Sequence, residues 1–227
     1  VSRREYDQPC SIADALDRIG ERWSLLVIRE LLLGPLRFSD LVRAMGGPPT
    51  DVLTKRLREF EDNEIVVRRE LGPPASCVIY ELTDLGHELD PMLIELGRWG
   101  LNFYEPNATA ELAPSWLPNS LRVILQPPAD LEAAVQVHSD GEAFAVSIAG
   151  GWVNAQRGEM ADPDLILSGP PRSIAAAIVV GDEHIEGVEI EGDREVFAAL
   201  RGAVVLPDRL RESAQAAIDA IAAARTA

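Results

Sequence analysis

Apolar residues in the first hundred positions recur every three or four residues, the period of helices packed on one face. Ser11 precedes Ile12, Ala15, Leu16 and Ile19 at that spacing, and Asp14 three residues after the serine forms a weak capping box. A second helix, Trp23 to Leu33, is expected to stop at Gly34-Pro35. Arg37-Phe38 reads as a short extended step, after which Ser39 caps a brief helix through Met45 that breaks at Gly46-Gly47-Pro48-Pro49. Thr50 caps the next helix, which runs to about Asn63. Ile65 to Arg69 and Cys77 to Leu82 read as two strands joined by a proline-rich loop, and a long helix is expected from Asp84 to about Phe103.

In the second half the period changes to two. Ala133, Val135 and Val137 alternate with polar or small residues, Asp140-Gly141 is a hairpin turn, and Phe144, Val146 and Ile148 alternate again before Gly150-Gly151 turns into Trp152 to Arg157. A strand from Asp164 to Ser168, a helix from Ser173 to Val180 ended by Gly181, a strand from Ile185 to Ile190 and a helix from Asp193 to Leu200 are expected next. A final helix from Leu206 to about Arg225 would place Leu206, Leu210, Ala214, Ile218 and Ile221 on one face. Between the halves, Glu105 to Pro118 carries three prolines and no periodicity. The pattern predicts an α+β protein with a winged helix-turn-helix over residues 1–105, a linker over 106–118 and a sheet-and-helix domain over 119–227.

Composition narrows the chemistry. Of the 227 residues 47% are hydrophobic and 26% charged, the balance of a packed globular chain. Lys and Arg number 21 against 37 Asp and Glu, a formal charge of −16, so general affinity for polyanions is excluded and any nucleic-acid contact must be local. The first 107 residues hold 13 of the 21 basic residues, including every basic cluster. Two cysteines and three histidines suit neither a disulfide framework nor a clustered metal site, and no cofactor is expected. The apolar runs are far shorter than a bilayer-spanning helix and the first residues carry no leader pattern, which predicts a soluble, cytoplasmic protein without a membrane partner.

A helical projection from Asp51 gives the fourth helix two faces. Val52, Leu53, Leu57 and Phe60 gather on one side, and Asp51, Thr54, Lys55 and Arg58 on the other. Lys55 and Arg58 can donate to guanine edges or phosphates, and Thr50 and Thr54 lie near the helix start, where free amides favour phosphate. Arg56 falls beside the packing face and reads as a structural ion-pair partner. Arg37 and Ser39, together with Arg68 and Arg69 on the first wing strand, complete the candidate DNA contacts; Glu70 follows those arginines at once, and the wing loop has no basic residue.

Cys10-Ser-Ile-x-x-Ala-Leu-Asp-x-Ile-Gly-x-x-Trp23, Leu25-Leu26-Val-Ile-Arg29-Glu30-Leu31, Arg37-Phe38-Ser-Asp-Leu41, Leu53-Thr-x-Arg56-Leu57-x-x-Phe-Glu61 and Tyr80-Glu-Leu-Thr-x-x-Gly86 occur in order. Over about residues 8 to 103 the chain closely resembles the HxlR-type family of bacterial winged-helix regulators. The resemblance implies a homodimer on short inverted-repeat operators, usually a repressor. It also implies dimerisation through the first and last helices of this half, with Ile12, Leu16, Leu89, Met92, Leu96, Trp99 and Phe103 as the candidate seam. Two further implications concern single positions. Cys10 occupies the place from which family members sense electrophiles or oxidants, at a helix start that favours thiolate, although acidic neighbours and plain packing offer another reading. The usual glycine after the recognition helix is replaced by Asn63-Glu64, with Asn63 expected in the left-handed cap.

In the second half, Asp140-Gly141-Glu-x-Phe144, Gly158, Asp162-Pro-Asp164-Leu-Ile-Leu167 and Gly187-x-x-Ile-Glu-Gly192-Asp193 resemble the sterol carrier protein type of lipid-binding domain over about residues 120 to 205. That implies a helix-covered sheet around an apolar site for a hydrophobic small-molecule effector. Phe144, Val146, Trp152, Leu165, Leu167, Ile174 and Ile178 are candidate lining residues, and each also suits a plain core. The sequence therefore reads as a sequence-specific DNA-binding regulator, not an enzyme, whose acidic second domain senses a hydrophobic molecule or adds a dimer contact. The alternatives are a binding protein that uses the winged helix only to dimerise, and an enzyme acting on a bound acyl ligand, which would need a His or carboxylate pair converging in the pocket, with His138 and His184 the histidines available to it.

Overall fold

In the computed structural model, which describes residues 6–107 and 110–213, the period-3.6 half folds as α1 (Ser11–Ile19), α2 (Ser24–Leu32), α3 (Phe38–Ala44) and α4 (Thr50–Asp62), then the hairpin β1 (Val66–Leu71) and β2 (Cys77–Leu82), then α5 (Asp84–His87) and α6 (Asp90–Gly100). Three expected caps are displaced. The first carbonyl acceptors belong to Cys10, Arg37 and Pro49, each 3.0 Å from the amide nitrogen four residues on, so Ser11, Ser39 and Thr50 lie inside their helices. The long helix expected from Asp84 is two helices. Pro91, in the first turn of α6, has no N–H to donate to His87 and disfavours helical backbone at Asp90. Thr83 caps the short α5, its hydroxyl accepting from Gly86 N and donating to Glu64 O.

The chain divides into two compact units, Val1–Leu93 and Ile94–Ala227, and the division falls inside α6. In the first unit the apolar stripes of α2, α3 and α4 meet the wing in one core, with Val27, Ile28, Leu41, Leu53 and Phe60 fully buried. Leu36 pairs with Tyr80 through two backbone hydrogen bonds of 2.8 and 3.0 Å, so the stretch before α3 forms a short third edge on the wing. Gly86 is required by contact, because a Cβ there would sit 2.3 Å from Ile65 O. The left-handed residue after α4 is Glu64 (φ 57°), while Asn63 stays at −97°. Asn63 instead continues the turn, its amide donating to Glu59 O.

The second unit contains α7 (Trp116–Ile124), β3 (Ala133–Ser139), β4 (Glu142–Ala149), β5 (Trp152–Arg157), β6 (Leu165–Ser168), α8 (Pro171–Val180), β7 (Glu189–Gly192) and α9 (Arg194–Gly202). Its sheet runs β5-β4-β3-β6-β7, with β3 and β6 parallel and the other pairs antiparallel. Both hairpin turns have two positive φ values, at Asp140-Gly141 and Gly150-Gly151, the geometry that matches strand twist. Helix α7 begins within the stretch expected as linker; Leu117, Leu121 and Ile124 bury one stripe, and Pro118 is tolerated in its first turn. Strand β7 starts later than expected, because Gly187 at φ 77° turns the chain just before it. Residues 208–213 are helical with Leu210 buried, whereas Ala214, Ile218 and Ile221 of the expected final helix lie outside the described residues.

One sheet face is the core of this unit. Val135 and Val137, Phe144, Val146 and Ile148, Leu165 and Leu167 point into it, with Ile174 and Ile178 of α8 equally buried. Trp152, expected to line an interior site, does not share that face. Val153 and Ala155 are the buried positions of β5, so the alternation turns Trp152 outward, 59% exposed.

Candidate nucleic-acid interface

Two faces of α4 are separated as the projection predicts. Leu53, Leu57 and Phe60 are buried in the first unit, and Asp51, Lys55 and Arg58 are exposed, bordering with Thr50, Thr54 and Glu59 a shallow surface depression. Val52 is only half-buried. Thr54 Oγ1 donates to Thr50 O at 2.7 Å, so that hydroxyl is already engaged along the helix. Arg56 turns inward with its side chain 5% exposed, and its Nη1 lies 2.6 Å from Glu59 Oε2. Glu59 also approaches Lys55 Nζ at 3.8 Å.

Arg37 and Ser39 are exposed at the start of α3. Neither Arg37 nor Arg58 has an acidic partner within 4 Å among the described residues. The wing arginines differ. Arg68 Nη1 is 3.0 Å from Glu70 Oε1, and Arg69 Nε is 2.8 Å from Glu81 Oε2 across the hairpin. The hydrogen bond that Arg68 donates to Glu70 raises the arginine pKa above its ordinary value, so its positive charge is held. The loop between the strands, residues 72–76, has no basic side chain. The acidic partners were only partly visible beforehand: Glu59 follows from helical spacing, but Glu81 needs the strand register that sets Arg69 opposite Ile79.

The candidate seam residues are apolar and outward-facing, with Leu89 the exception, since it packs on the first unit's core. Ile12 and Leu16 are exposed on α1, and Leu85 is exposed on α5. Met92, Leu96 and Trp99 follow one another along a single face of α6, all exposed, and the Trp99 ring meets Phe103, just beyond the helix, in a tilted contact with centroids 4.9 Å apart. Cys10 is exposed at the N-cap of α1.

In the second unit His138, which the sequence offers without partners, meets two polar side chains. His138 Nε2 lies 3.1 Å from Glu159 Oε2, and its Nδ1 lies 3.5 Å from Ser168 Oγ. The order resembles a nucleophile, base and orienting acid, but the residues that follow the serine offer it no free backbone amide. The Gly169 N–H is spent on His138 O, and Pro170 and Pro171 have none. His138 is half-buried and Glu159 exposed.

A buried helical core, a hairpin wing and an outward helix with exposed cations define a winged helix-turn-helix regulator. The model of the HxlR-like helix-turn-helix family matches residues 18–108. The HTH-type transcriptional regulator YodB of Bacillus subtilis is 37% identical over 95 residues, 42% of this chain and 85% of that protein. The uncharacterized regulator YvaP of the same species is 37% identical over 94 residues, 41% of this chain and 86% of YvaP. The solved reduced form of YodB aligns with a TM-score of 0.39 and 35% identity, covering 44% of this chain and 99% of that one. The chain belongs to the HxlR-like helix-turn-helix family. It is a DNA-binding transcriptional regulator with a distinct α+β domain after the winged helix, and its relatives are regulators rather than enzymes.

Proposed function

We propose that the protein is a homodimeric repressor that reads an inverted-repeat operator with the outward face of α4. The observation that carries this reading is the division of one helix into a buried face, Leu53, Leu57 and Phe60, and an exposed face bearing Lys55 and Arg58. In it Lys55 and Arg58 address base edges, Thr50, Thr54, Arg37 and Ser39 address the phosphates that fix register, and Arg68 and Arg69 of the wing reach the flanking backbone. In this reading residues 1–105 hold the DNA-binding and dimerisation functions, and the sensing domain begins with α7 at Trp116 rather than at 119. The exposed apolar residues of α1 and α6 supply the dimer seam, since a row such as Met92, Leu96 and Trp99 is costly to leave in water. The regulator acts in the cytoplasm, on chromosomal DNA. Genome-wide mapping of bound DNA, with transcript levels measured after deletion, tests this reading: it expects inverted repeats near promoters and increased transcription from them.

The second unit is proposed as an effector domain of the sterol carrier type. Its support is the sheet whose covered face carries Phe144, Val146, Leu165 and Leu167 against Ile174 and Ile178 of α8, all buried. A hydrophobic effector would enter there by displacing core contacts. Linkage then requires equal factors in both directions: if the effector weakens operator binding, operator weakens effector binding as much. Titration of fatty acids and apolar metabolites with and without operator measures both. Exposed Cys10 is the candidate redox input, tested by operator binding before and after oxidation.

A further inference from the structure

Cations on the proposed DNA face are mostly occupied already. Glu59 stands 3.8 Å from Lys55, Glu70 3.0 Å from Arg68 and Glu81 2.8 Å from Arg69. Arg43, one turn after Ser39, is held by Asp40 at 2.8 Å. These acids lie on α3, α4, β1 and β2; three of the pairs join near neighbours in sequence, and Arg69–Glu81 crosses the hairpin. Glu70 and Glu81, unlike Glu59, stand apart from the packing role of the buried Arg56–Glu59 pair: Glu70 has a largely exposed side chain, and neither is tied to a buried base.

Resting on the reading of α4 and the wing as the DNA face, we propose that Glu70 and Glu81 are specificity-determining residues that hold Arg68 and Arg69 away from generic phosphate. Phosphate binding by a duplex gains from counterion release only for cations that are free to neutralise phosphates. A cation paired with a carboxylate releases little, and the carboxylate itself repels the backbone. On random sequence the winged helix thus engages few charges. At the operator, base contacts by Arg58 and closer docking of the wing supply the free energy that reorganises the pairs. Discrimination comes from suppressing the wrong duplex more than from strengthening the right one. The net charge of −16 acts in the same direction over longer range.

The test compares the full chain with a double variant, Glu70→Gln and Glu81→Gln. Both side chains keep their shape, and the Arg56–Glu59 pair that supports α4 is untouched. A scrambled 30-base-pair duplex and a duplex enriched by selection from a random pool are titrated across salt concentrations. On the scrambled duplex the variant should bind about tenfold more tightly at low salt, and the slope of log K against log salt should steepen by about 0.9 for each freed cation. Affinity for the selected duplex should change less, so the ratio of the two falls. Unchanged slope and affinity on the scrambled duplex, in a variant with the wild-type unfolding curve, overturns the proposal. A separate pair, Arg68→Ala and Arg69→Ala, identifies failure of the underlying reading: if neither duplex loses affinity, the wing is not on the DNA and the proposal falls with it.

Discussion

Arg56 Nη1 lies 2.6 Å from Glu59 Oε2 one turn further along α4, with the arginine almost wholly buried and the glutamate partly open to water. The arginine thus belongs to the support of the reading helix rather than to its surface. Removing it leaves Glu59 facing the core edge without its cation and opens space beside Leu53 and Phe60. Arg56→Ala should lower stability by about 1–3 kcal/mol in urea unfolding, and the folded fraction should retain wild-type operator affinity. Normal stability with lost binding would move Arg56 to the DNA.

Gly86 and Gly100 give a contrast within one protein. A Cβ on Gly86 meets Ile65 O at 2.3 Å and Leu82 Cδ2 at 2.9 Å, and backbone cannot yield as a side chain can; nothing lies within 4 Å of one on Gly100. Gly86→Ala should destabilise the first unit by more than about 2 kcal/mol, whereas Gly100→Ala should stay within about 0.5 kcal/mol of wild type. Thermal unfolding of the two variants checks this.

Much of this was legible in the sequence because period alone assigns faces. The division of α4 and the inward placement of Arg56 follow from 100° per residue. What failed has identifiable physical causes. Pro114 and Pro118 gave residues 105–118 the look of a linker, but a proline in a first helical turn sacrifices no hydrogen bond, so α7 starts at Trp116. Pro91 did the opposite, interrupting a stripe whose spacing looked continuous. Trp152 is an interior candidate only through the carrier-domain resemblance, which runs against the parity set by Val153 and Ala155. The meeting of His138, Glu159 and Ser168 depends on the parallel register that sets His138 beside Ser168, which no local pattern encodes.

That parity error yields its own prediction. Phe144 is fully buried and Trp152 mostly exposed, although both are large aromatics in adjacent strands. Phe144→Ala should cost about 3–5 kcal/mol through cavity formation, and Trp152→Ala less than about 0.5 kcal/mol. Denaturant titration followed in the second unit reads the difference; equal losses would contradict the assignment of faces.

Leu96, exposed at the middle of the α6 row, tests the proposed seam. Leu96→Glu places a carboxylate where two copies would exclude water, so sedimentation should show monomers at concentrations where wild type is dimeric. Operator affinity should fall in parallel, because each half-site would then be read alone. A variant that stays dimeric places the interface elsewhere.

The central claim is that the outward face of α4 reads the operator, and Arg58 is its most informative residue, since it has no acidic partner among the described residues. Fluorescence anisotropy of a selected duplex should show Arg58→Ala weakened by about 1–3 kcal/mol, with most of the loss confined to the selected sequence. Equal affinity of wild type and Arg58→Ala for that duplex, together with an unchanged Lys55→Ala variant, would remove α4 from the DNA and contradict the account.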